Sequence, residues 1–145
     1  MRPGYDESPL NPLPPVIWAL VLPIIALEIY FGLGQLGFVG GGQPGAGMAL
    51  RQLAAERTAY VPEFVLRLWE LRMFDLGQGW RILTYSFVHL SLTHAVFVVV
   101  FALALGNLIA SQFRPWAVVV LFFGSAIGGA LIYTLFAGLL PQWRF

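Results

Sequence analysis

"WRILTYSFVHLSLTHAVFVVV", Trp80 to Val100, decides how this chain is read. It starts at a polar edge, passes two histidines, His89 and His94, and runs into an uninterrupted apolar stretch. No other histidine occurs in the chain, and no charged residue lies between Arg81 and Arg114. The stretch therefore predicts a membrane helix that follows Arg81 and reaches about Ser111. Two imidazoles near its start call for a chemical reason.

Composition sets the frame. The chain has 145 residues, 59% hydrophobic and 10% charged, with a mean hydropathy of +0.78. Soluble domains carry about a quarter charged residues, so this is an integral membrane protein by composition. A net charge of +1 offers no footprint for nucleic acid. There is no cysteine, which excludes thiol catalysis, disulfides and cysteine-based zinc sites. All eight basic residues are arginine.

Working outward, the N-terminal "MRPGYDESPLNPLPP" holds two acids and five prolines, which does not fit a signal peptide. Residues 1–14 read as an extended cytosolic lead-in, and 15–145 as one membrane domain. Pro15 to Leu36 is a first spanning segment; Pro15 suits a helix start, and Pro23 should kink the interior. Glu28 within it needs either a hydrogen-bonded place against other helices or a proton or substrate role. Gly37 to Gly47 is a flexible connection. Beyond it, "PEFVLRLWELRMFD" aligns Glu63, Arg67 and Glu70 on one stripe, with Phe64, Leu68, Leu71 and Met73 mostly off it. This predicts an amphipathic helix in the interface from Glu63 to Asp75, with Trp69 near the headgroups. Trp116 to Leu139 is a third span. Ala102, Gly106 and Ala110 form one small-residue face, and Gly124 and Gly128 form another. One face can pack within the chain, which leaves the other for a partner. The expected fold is all-α, with three membrane helices and a loop of about 40 residues between the first and second.

For the histidines, several chemistries stand open on the residues alone. A metal pair on a helix wants a spacing of four; five puts the rings about 140° apart if both lie on the helix. No carboxylate is near in sequence, so no metal site and no cofactor are expected. A haem ligand shared with another chain is a minor alternative. The simplest reading makes both histidines hydrogen-bonding groups of an interfacial turn, like Thr84, Ser86, Ser91 and Thr93 beside them.

"WRILTYSFVHLSLTH" resembles the rhomboid family of intramembrane serine proteases. A Trp-Arg pair ends a long first loop, a Thr follows three residues after the Arg, and His-x4-His opens the second helix. The close match covers about 35 residues, and the helix order extends it over most of the chain, as the N-terminal half of a rhomboid fold. The resemblance implies that His94 matches an oxyanion-stabilising histidine and His89 a supporting one. It implies that Trp80 and Arg81 pack the first loop against the membrane. The family's serine, in a Gly-x-Ser-Gly motif on the fourth helix, and its base on the sixth would lie beyond Phe145. The family has an Asn one turn after the later histidine; here that position is Val98, whose isopropyl group donates no hydrogen bond. The family's acidic residue further along this helix aligns with Ala110.

These departures resemble the family's non-proteolytic branch. The expected role is a pseudoprotease that binds or stabilises other transmembrane proteins or a larger membrane complex, in contact with the lipid bilayer and not with nucleic acid. The N-terminal part of an active serine endopeptidase is the alternative; a small subunit of an energy-transducing complex is a third reading. The resemblance also implies a bacterial inner membrane with the N-terminus cytoplasmic. The positive-inside count disagrees, since Arg51, Arg57, Arg67, Arg72 and Arg81 all fall in the first loop.

Overall fold

The computed structural model describes residues 13–62, 66 and 79–139. Among them every regular element is helical. α1 spans Pro15–Gln35, with proline in its first turn, where a missing N–H costs nothing. The Ile17 amide closes that turn on the Pro14 carbonyl at 2.9 Å. The helix continues through Pro23 and stops where Gly37 turns into left-handed backbone. α2 spans Ala46–Thr58. A short α3, Arg81–Thr84, runs into a single 3-10 turn at Tyr85–Phe87. α4 spans Leu92–Gln112 and α5 spans Trp116–Leu139.

The sequence reading placed the first and third spans correctly; the second is shorter than expected. It begins at Leu92, not after Arg81, because Ser91 caps it: the Ser91 hydroxyl accepts the His94 amide at 3.3 Å. Val88 and Ser91 are both extended, so the chain between them cannot be helical. His89 therefore lies outside α4. The proposed interfacial helix of Glu63–Asp75, with Trp69, lies outside the described residues apart from Leu66.

α1, α4 and α5 are long and apolar enough to cross a bilayer. α1 packs against α2, α4 and α5. Around its first turns, Ile17, Leu20 and Val21 bury together with Val118 of α5, and Ala102, Leu103, Ile109 and Ala110 of α4 close on them. Gly106 makes this approach possible: a Cβ there would lie 3.3 Å from Ile17. The outward faces of α4 and α5, including Phe97, Phe101, Leu105, Leu131 and Leu135, stay exposed as one continuous apolar skin. In water such a surface would aggregate; lipid is its natural solvent.

Candidate functional site

A cluster of directed polar contacts lies at the other end of the bundle, where α1 finishes and α4 begins. Glu28 finds its partner there. The Arg51 guanidinium, on α2, donates from two nitrogens to the two Glu28 oxygens, at 2.8 and 2.6 Å. This is the bidentate fork that matches a carboxylate plane. A further bond runs from Arg51 to the His89 backbone carbonyl at 2.7 Å, and the guanidinium lies 4.8 Å from the centre of the Phe31 ring. Arg51 and His89 are both buried. The sequence called for a hydrogen-bonded place for Glu28 or a proton or substrate role; the loop supplies a full counter-charge, and an uncompensated carboxylate beside lipid is costly.

α2 reaches this position by backbone contact. Gly34 and Gly47 lie against each other, and a Cβ on Gly47 would collide with the Phe31 carbonyl. The loop turns back at Gly45, in left-handed backbone, whose amide donates to the Gln35 carbonyl at 3.0 Å.

The two histidines meet. Their ring centroids are 4.9 Å apart and the rings stand edge to face at 88°. The angular argument against a shared site assumed one helix; the break at Ser91 removes that assumption. His94, in the first turn of α4, is exposed, whereas His89 is 6% exposed. Burial, and then the neighbouring His94, lower the pKa of His89 below the usual imidazole range, with Glu28 and the Phe87 backbone opposing in part. Among the described residues no group of three or more potential metal ligands comes together.

Val98 is half-buried on α4, one turn beyond His94, and brings no donor to that face. Each described serine has a local backbone bond. Ser86, Ser111 and Ser125 donate to carbonyls three residues back, and Ser91 caps α4. None of these bonds is to an imidazole.

Trp80 and Arg81 sit at the start of α3. Arg81 donates to the Ala59 carbonyl at 3.3 Å and lies 5.7 Å from the Trp80 ring, so it joins the end of α2 to α3. Trp80 itself is exposed. Ala110 lies about 24 Å along α4 from His94, at the helical rise per residue, and packs near the start of α1. Position 110 is therefore at the far end from α2, and among the described residues Glu28 is the acid paired with α2. Among the described residues, no other element comes within 4 Å of where a Cβ on Gly124 or Gly128 would stand.

Two tyrosines, which the sequence reading did not single out, attach this region to α5. The Tyr85 hydroxyl donates to the Ala126 carbonyl at 2.6 Å, and the Tyr60 hydroxyl pairs with that of Thr134 at 2.5 Å. Burial, with Tyr60 adjoining, raises the pKa of Tyr85, which stays a neutral donor. Between them opens a cleft of about 310 Å³, walled by Ala55 of α2, Ala59 just after it, Tyr60, Tyr85, and Gly129 and Tyr133 of α5.

Residues 76–141 match the family model of the Rhomboid domain. No curated protein and no solved structure matches the chain. The matched segment takes in α3, α4, α5, the Trp80–Arg81 pair and both histidines. With three helices suited to a bilayer, the chain is an integral membrane protein whose C-terminal half contains a segment similar to the Rhomboid domain.

Proposed function

We propose that this is a non-proteolytic rhomboid-like protein that binds or stabilises other membrane proteins. The observation that carries the reading is Val98. A peptide-cleaving site must stabilise a tetrahedral oxyanion, and loss of one donor commonly costs two to three orders of magnitude in rate. Val98 offers no donor on the His94 face, and His89 is buried with its backbone carbonyl held by Arg51. In this reading His89 and His94 are remnants of an oxyanion wall that serve as polar anchors.

The open face at Gly124 and Gly128 supports the partner role. Helices in lipid associate through close van der Waals approach, and no described residue covers this face, while Ile17 occupies the Gly106 face. Leucine at Gly124 or Gly128 should therefore weaken association with a partner helix, whereas leucine at Gly106 should damage the chain's own packing.

The reading also places the N-terminus in the cytoplasm of a bacterial cell and the first loop outside. Arg51, one of the loop arginines that oppose this, is paired with the Glu28 carboxylate and presents less free positive charge than the count assumes.

A fluorophosphonate probe applied to the purified protein in membranes tests the activity claim. No serine of the protein should be labelled. Labelling that is lost on heat denaturation, together with cleavage of a reconstituted single-span substrate, would make it a working protease and sink the proposal.

A further inference from the structure

Arg51 sits where three parts of the chain meet. Its fork grips Glu28 on α1, its own helix forms a wall of the cleft, and its remaining bond holds the carbonyl of His89. Packing alone does not require this. Gly34 and Gly47 already bring α1 and α2 into backbone contact, and an apolar pair in place of the ions would bury as well. What the ions add is a specified geometry, and one of the specified bonds goes to the segment between Val88 and Ser91. That segment is flanked by extended residues, lies outside any helix, and carries His89, whose ring centre is 4.9 Å from that of His94.

We propose that Arg51 is a latch, which couples the docking of α2 on α1 to the arrangement of the His89–His94 pair. With the ion pair closed, α2 lies on α1, the His89 carbonyl is held, and the rings stand edge to face. With it open, α2 leaves α1, the carbonyl loses its donor and the imidazoles change their environment together. The ends of α2 suit such a movement. On one side the chain turns through Gly40, Gly41, Gly42 and Gly45, all in left-handed backbone. On the other side, α2 is tied by the 3.3 Å bond from Arg81 to Ala59 and by Tyr60. A helix of 13 residues frays in water without a partner, so release has a measurable signature.

The experiment uses the intact protein in nanodiscs and two readings. Amide hydrogen exchange follows α2. Imidazole 15N resonances follow the histidines, and the chain has two of them, so assignment is simple. Glu28→Gln makes no contact with either ring, although it removes a charge that favours the protonated form of His89, so the imidazole signals are read above about pH 8, where imidazoles are neutral. It should speed exchange in α2 by at least about tenfold and shift both imidazole signals. The exchanged pair, Glu28→Arg with Arg51→Glu, separates the two roles. It restores opposite charges between α1 and α2, but a carboxylate at 51 cannot donate to the His89 carbonyl. Slow exchange should return in α2 while the imidazole signals stay displaced. Faster exchange with unmoved imidazoles, a charge exchange that restores both readings, or no change in either would each overturn the latch. If Glu28→Gln cannot be purified, Glu28→Asp keeps the charge, shortens the reach, and should give the same pattern in smaller measure.

Discussion

The two ends of this bundle are held by different means. Near the start of α1, Ile17, Leu20, Val21 and Val118 close around Gly106 with no polar group among them. Near its end, Glu28, Arg51, His89, Tyr60 and Tyr85 make directed bonds between elements distant in sequence. The apolar end needs complementary volumes, and many residue sets supply those. The polar end needs particular atoms at particular places, because a buried group that loses its partner bears the whole cost of desolvation. Volume changes should therefore be repairable by compensating volume at the first end, and partner loss should be severe at the second.

The largest effect tests the polar end. Arg51→Met leaves the Glu28 carboxylate buried without its counter-charge, and the expected loss is about 3–5 kcal/mol. Equilibrium unfolding in mixed micelles measures it; a loss under about 1 kcal/mol would place this pair with ordinary surface ion pairs.

The next effect belongs to the apolar end. Gly106→Leu forces a side chain against Ile17 and should cost about 1–3 kcal/mol. The sharper form joins Gly106→Ala to Ile17→Val, which trades one methyl for another. A thermal melt of that double variant close to the parent's would confirm repair by volume, and a melt as low as the leucine variant's would refute it.

Tyr85→Phe should cost less, about 0.5–1.5 kcal/mol, since it removes one hydroxyl bond. The Ala126 carbonyl sits inside α5 and keeps its helical partner, so the ring packing is preserved. Faster exchange of amides around Ala126, with α4 unchanged, is the expected pattern.

The smallest effect is a pH dependence. His89 has a folded pKa below its ordinary value of 6.5, so the unfolded chain binds a proton first on acidification. Stability should hold at pH above that value and fall as pH drops from it toward the lowered native pKa. His89→Gln should flatten this slope in a series of melts; an unchanged slope would remove His89 as its source.

The same division explains what could be read from the sequence. α1 and α5 follow from apolar length and punctuation, and their bounds lie within one residue of those expected. The face of Ala102, Gly106 and Ala110 was visible as spacing, although nothing in the spacing said that Ile17 would fill it. The start of α4 was misread because an uncharged run was taken as one helix. Ser91 carried the missing signal, as a capping residue ahead of the valines. Arg51 was missed for another reason. It is 23 residues from Glu28 and 38 from His89, and no local periodicity joins positions so far apart. A carboxylate inside a span did announce a need for a partner. A search of the first loop for a cation would have been the physical way to find it. The reading of Val98 comes from the family resemblance, as a position one turn from His94 that lacks a donor, and it stays with the proposal.

The most direct test of this account is a double-mutant cycle on Glu28 and Arg51, with unfolding free energies for the parent, Glu28→Leu, Arg51→Met and the two together. Each single change leaves one charge stranded; the double change leaves none. The account predicts a coupling of at least about 2 kcal/mol, with the double variant more stable than Arg51→Met alone. Additive losses, with a coupling near zero, would contradict it.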